Sequence, residues 1–166
     1  MPFQIDQRVA YPAFGLGRIA AVVTKSLLDS DRQDFYEVVG EHSTLWVEVT
    51  EASARGLRRL AQRVELPQFR NVLRGQPAEL SADARQRHKD TQTQLRRGTL
   101  QDLCEVVRDL SALSWRKALG EYDAVELKKA RSWLCQEWAA ADGVSLAKAT
   151  AEVNALLQEA RKVYGD

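Results

Sequence analysis

Over the first fifty residues the apolar positions fall in short runs that alternate with polar ones. The runs are Arg8-Val9-Ala10-Tyr11, the Ile- and Val-rich stretch from Arg18 to Thr24, Asp34-Phe35-Tyr36-Glu37-Val38-Val39, and Thr44-Leu45-Trp46-Val47-Glu48-Val49. β-Branched and aromatic side chains at a period of two fit a pleated, half-buried surface, so each run predicts a strand. Turn chemistry separates them: Pro12 with Gly15 and Gly17, then Asp29-Ser30-Asp31, then Gly40-Glu41-His42-Ser43. Connections this short pair successive strands antiparallel. So few short strands bury one face only by curling, which predicts a small, bent antiparallel sheet or open barrel.

After Gly56 the period becomes helical. The Pro67 to Pro77 stretch, with Gly75 inside it, predicts a short helix and a loop, and helices are expected at about 82–95, 99–114, 123–141 and 145–163. The strongest start signal is Asp123-Ala124-Val125-Glu126, which reads as a capping box with Asp123 as N-cap. Thr99 and Ser145 are further N-cap candidates, and Gly98 and Gly143 suit the helix ends before them. Three stripes at three- and four-residue spacing predict core faces. They are Leu100, Leu103, Cys104, Val107, Leu110; Leu127, Ala130, Leu134, Trp138, Ala141; and Leu146, Ala149, Val153, Leu156, Ala160, Val163. Strands first and helices after predict an α+β chain of two segregated units, a β-module over 1–60 and an all-α helical bundle over 61–166.

Composition narrows the function classes only slightly. The 166 residues suffice for one good core or two modest ones, and a net charge of +1 means that attraction to an acidic partner must come from local clusters. The start, Met1-Pro2-Phe3-Gln4-Ile5-Asp6, lacks the basic and apolar regions of an export signal, and no apolar run is long enough to span a bilayer. The expectation is a cytoplasmic monomer with no membrane partner. Two cysteines, Cys104 and Cys135, lie on apolar helix sides and read as buried thiols rather than as a disulfide framework or zinc site.

Candidate chemistry is sparse. Gly15-Leu16-Gly17-Arg18-Ile19-Ala20 has the glycine spacing of a dinucleotide-binding turn, with Glu41 further on, but Pro12 interrupts the strand before it and a β-branched run follows, so a hairpin turn is expected. Asp29, Asp31 and Asp34 lack the glycine and the final Glu of a calcium loop. His42 falls in a turn and His88 on a polar helix face, neither with a second histidine at metal spacing. The expectation is a non-enzymatic protein with no cofactor and no metal. Basic residues do cluster, as Arg85, Arg87, His88 and Lys89, then Arg96 and Arg97, Arg116 and Lys117, and Lys128, Lys129 and Arg131. They suit a phosphate-neutralising surface, yet interleaved Asp83, Asp90, Asp109, Glu121, Asp123, Glu126 and Glu137 leave an ordinary mixed-charge surface open as well. Trp46 shares a strand face with Glu48, opposite Leu45, Val47 and Val49, and is either a partner anchor or covered by the chain itself.

Asp6-Gln7-Arg8-Val9-Ala10-Tyr11-Pro12, Gly15 to Ile19, Phe35-Tyr36-Glu37-Val38 and Gly56-Leu57-Arg58 resemble the N-terminal module of the CarD family, a module also found in the transcription-repair coupling factor. Arg87-His88-Lys89, Glu105 to Leu110 and Lys129-Ala130-Arg131 resemble the helical domain of CarD regulators. The resemblance implies a Tudor-like module that binds the β subunit of RNA polymerase and a helical domain that contacts promoter DNA at the upstream edge of the transcription bubble, without catalysis. It implies polymerase contacts at Lys25, Leu27 and Trp46, and DNA contacts at Ala84, Arg85, Arg87, His88, Lys89 and Lys128. The family's wedge tryptophan falls on Ala84, another basic position of the family on Ala124, and the usual proline after the fourth strand's valine on Glu48. Two other readings stay beside this one: a polymerase-binding adaptor that does not grip DNA, and a nucleotide-binding protein using Gly15 to Ala20.

Overall fold

The structure is a computed structural model that describes residues 2–27 and 31–165, with Leu27 described by its backbone alone. Its contacts divide the chain into two compact units, Met1–Leu60 and Ala61–Asp166. An N-terminal antiparallel sheet followed by helices is the α+β arrangement that the change of period predicts.

The first unit is a five-stranded sheet in the order β4-β3-β2-β1-β5. Its strands are β1 (Arg8–Tyr11), β2 (Gly15–Leu27), β3 (Asp31–Val39), β4 (Thr44–Glu48) and β5 (Arg58–Arg59), and all neighbours pair antiparallel. β2 pairs with β3 from Arg18↔Val39 to Leu27↔Asp31, and the register shifts between Ile19 and Ala21. Such an irregularity bends and twists a strand, which helps a small sheet wrap its apolar face. That face carries Val9, Ile19, Tyr36, Val38 and Val47, all buried, and Phe3, Ala52 and Leu57 close it. Phe3 meets Tyr36 edge-on, ring centroids 5.6 Å apart at 88°.

Three expectations need correction here. Gly17 belongs to β2, opposite Val9, and not to a turn. A Cβ at Gly17 would lie 2.7 Å from Val38 Cγ1, so the glycine answers a close approach of strands. The turn itself is Pro12 to Phe14, where Ala13 takes φ +66°. The stretch Gly15 to Ala20 is strand throughout and runs on into more strand, which lacks the strand-turn-helix context of a dinucleotide site. Asp31 belongs to β3, the strand expected to begin at Asp34, while Asp29 and Ser30, the rest of that expected turn, lie outside the described residues. β5 was concealed because two arginines carry no apolar alternation.

In the second unit a short 3-10 turn (Arg63–Glu65) leads into α1 (Leu66–Leu73), α2 (Ala84–Arg97), α3 (Leu100–Arg116), α4 (Glu121–Asp142) and α5 (Leu146–Tyr164). Thr99 caps α3: its hydroxyl accepts from Asp102 N at 3.0 Å, and Asp102 Oδ2 accepts from Thr99 N at 3.3 Å. Ser145 caps α5, and Gly98 and Gly143 end α2 and α4 with left-handed φ of 60° and 67°. The capping box at Asp123 does not form. α4 begins earlier, with Gly120 as N-cap, because Asp123 is drawn into the interior by Arg87.

The helical core gathers Leu66, Phe69 and Leu73 of α1 with the three stripes of α3, α4 and α5. Only the tips of the α5 stripe depart from expectation, Leu146 being 52% and Val163 71% exposed. Cys104 and Cys135 are buried free thiols. Burial pushes the Cys104 thiol far up, with the Glu137 carboxylate adding to the shift, and pushes Cys135 up less. Two buried or half-buried glutamates brace the helices: Glu137 accepts from Ala61 N at 3.0 Å, and Glu152 joins Arg70 of α1 to Trp138 Nε1 of α4, 3.3 Å away. No helix among the described residues is long and apolar enough to cross a membrane.

Candidate functional site

The outward face of the sheet unit follows from strand register. Glu37 stands opposite Trp46, Phe35 opposite both Val23 and Glu48, and Lys25 opposite Gln33. These residues share the face turned away from the Val38 and Tyr36 core. Trp46 is 44% exposed there, and the Lys25 ammonium lies 4.0 Å from its ring centroid and 5.9 Å from that of Phe35. A cation over an indole is held by the ring quadrupole, which fixes both side chains in place. Phe35 is the member that sequence reasoning passed over as a site residue, although its parity with Glu37 placed it on this face. Leu27 ends β2, but its side chain lies outside the described residues. β4 is at the border of the sheet, so its far side has no strand neighbour among the described residues.

In the helical unit, α2 carries five cations, Arg85, Arg87, Lys89, Arg96 and Arg97, against one carboxylate, Asp90. Asp83 caps the helix, its side chain accepting from Arg85 N at 3.0 Å, so Ala84 is the first helical residue and is exposed. Arg85, Lys89 and Arg96 fall on one helix face and are exposed. Arg87 corrects the expectation of an exposed cation: its side chain is 8% exposed, with Nη2 2.9 Å and Nε 3.0 Å from Asp123 Oδ2 and Nη1 2.9 Å from the Ser81 carbonyl. His88 is half-buried, its ring 4.0 Å from that of Tyr122 and its Nε2 3.6 Å from Asp123 Oδ1. Burial, and then the Glu126 carboxylate, push the Tyr122 phenol up. Arg97 is tied to Asp102 at 3.0 Å, whereas Lys128 of α4 is exposed. Thus Arg85 and Lys89 come to the surface together, while Arg87 and His88 turn inward to α4. Among the described residues no group of three or more His, Cys, Asp or Glu is placed to hold a metal ion.

A family model described as "CarD, C-terminal domain" matches residues 68–154, more than half of the chain and all within the helical unit. The chain belongs to the CarD family. As a CarD protein it is a transcription regulator. It is 25% identical over 145 residues to the "Putative transcription factor YdeB" of Bacillus subtilis (strain 168), with 86% of this chain and 94% of that protein covered. A similarity of that length does not fit within Ala61–Asp166 and therefore reaches into the sheet unit. The CarD match runs from within α1 to within α5 and includes Ala84, Arg85, Arg87, His88, Lys89 and Lys128.

Proposed function

We propose that this CarD protein docks on the β subunit of RNA polymerase through the sheet unit, residues 1–60, and that the helical unit, residues 61–166, contacts promoter DNA near the upstream edge of the bubble. The observation that carries the docking half is the joining of Lys25 and Trp46 on one exposed face next to the open border strand β4. A border strand offers main-chain hydrogen bonds to an incoming strand, the indole offers a buried anchor, and Lys25 suits an acidic rim. For the DNA half, the exposed cations Arg85, Lys89 and Lys128 are the phosphate contacts, and Arg87 with His88 set the pose of α2 against α4.

The test is co-purification of the full-length protein with RNA polymerase, followed by promoter footprinting with and without it. Trp46→Ala should weaken polymerase binding by about 2 kcal/mol or more, roughly thirtyfold. Failure of the wild type to bind polymerase would sink the docking reading, and unchanged affinity of a folded Trp46→Ala protein would remove Trp46 from the surface. A second reading, an adaptor that binds polymerase without gripping DNA, is favoured by the methyl group at Ala84 and by the burial of Arg87. Polymerase binding with an unaltered footprint selects it.

A further inference from the structure

Between the first half of α4 and the start of α5 the helical unit holds a cavity of about 410 Å3. Leu119, Leu127, Leu146 and Cys135 give it an apolar lining, Lys128 and Arg131 border it, and no carboxylate lines it among the described residues. Arg131 Nε is buried and has no hydrogen-bond partner among the described residues. Lys128 and Arg131 give the border of this apolar space positive charge that no lining carboxylate offsets among the described residues, so an anionic group is the complementary occupant there. The Arg131 charge is also close enough to Cys135 to pull its thiol pKa down, against the larger upward push of burial. Leu146, half-exposed at the start of the α5 stripe, then has an apolar neighbour to cover it.

We infer that this cavity is a binding site for a monoanionic amphiphile, a carboxylate on an aliphatic body of about ten carbons, with the carboxylate on Arg131 and Lys128 and the chain along the leucines. The size is in the range of small-ligand pockets, which run from roughly 300 to 1,000 Å3. A polyanion such as a nucleotide finds too little polar lining, and a neutral hydrocarbon leaves the two bordering cations without a counter-charge. The inference does not depend on polymerase docking. Because Lys128 also belongs to the proposed phosphate surface, the decisive variants are at Arg131 and Ala124.

The experiment is calorimetric titration of the full chain with sodium decanoate below its micelle concentration, with decanol and phosphatidylglycerol vesicles as further arms. Saturable one-to-one binding of decanoate is expected, with decanol weaker by on the order of tenfold because it cannot form the charged hydrogen bond. Arg131→Gln should weaken decanoate binding to a similar degree. Ala124→Phe, an exposed position that lines the cavity, should abolish binding while leaving circular dichroism unchanged. No saturable decanoate binding, equal affinity for decanol, binding that survives Ala124→Phe, or binding to vesicles in place of monomeric decanoate would each overturn the inference. Should Arg131→Gln misfold, Ala124→Phe alone still decides.

Discussion

The Arg87–Asp123 pair joins α2 to α4 where neither group reaches bulk water, with side-chain exposures of 8% and 1%. Removing one member of such a pair strands the other in the interior. Arg87→Met should therefore cost about 3–5 kcal/mol in urea unfolding, whereas Arg85→Met, at an exposed position, should stay within about 0.5 kcal/mol. The double variant Arg87→Met with Asp123→Leu should recover much of the loss, since no buried charge is left unpaired. Helical spacing alone could not separate these two arginines: both lie in a polar, charge-rich helix, and only the arrival of Asp123 from a distant helix draws one of them inward. The cysteines give a second test at this scale. A thiol whose folded pKa lies above its unfolded value binds its proton more tightly in the folded state. Stability is then full below the unfolded value of about 8.5 and declines as pH rises beyond it. Thermal unfolding at pH 7 and pH 10 should show the decline, and it should shrink in Cys104→Ala after allowance for the variant's own cavity. Aromatic disulfide reagents should leave Cys104 unmodified in the folded protein at pH 8.

At the scale of elements, the strands and helices were legible because binary patterning at periods of two and 3.6 dominates both units. Caps local in sequence, such as Thr99 with Asp102 and Ser145 with Lys148 N, were legible for the same reason: donor and acceptor are three residues apart. What escaped detection depends on long-range partners. Gly17 answers to Val38, and Asp123 to Arg87, at separations no local rule contains. The start of α2 carries a prediction of its own. Ala84 is exposed at its first position, beside Arg85, which is itself one turn from Lys89. On the reading that α2 meets the opened promoter, a methyl group cannot fill an unstacked base step but an indole can. Ala84→Trp should lengthen open-complex lifetime after competitor challenge by roughly five- to a hundredfold, as stacking of about 1–3 kcal/mol allows. A wild type already long-lived and not extended by the variant would place the wedge elsewhere.

For the whole molecule, net charge is near neutral and Arg87 is lost to the interior, so the proposed phosphate contacts are few. Counting Arg85, Lys89 and Lys128 as contacts gives a log–log salt slope of about −2.7, or roughly a fortyfold loss of naked-DNA affinity between about 50 and 200 mM salt. Fluorescence anisotropy across that range checks it, and tight, sequence-selective binding to free duplex at the upper end would contradict the proposal that these few phosphate contacts are all the helical unit brings to DNA. The other unit's border strand has a consequence at this scale too. The backbone groups on the far side of β4 that are open to a partner's strand are equally open to a second copy of β4, and nothing in hydrogen-bond geometry tells the two apart. Five residues and the Glu48 carboxylate are modest guards against such pairing. On the docking reading, protein made in excess of polymerase keeps this edge uncovered, and its solubility becomes tied to the supply of the partner that occupies it.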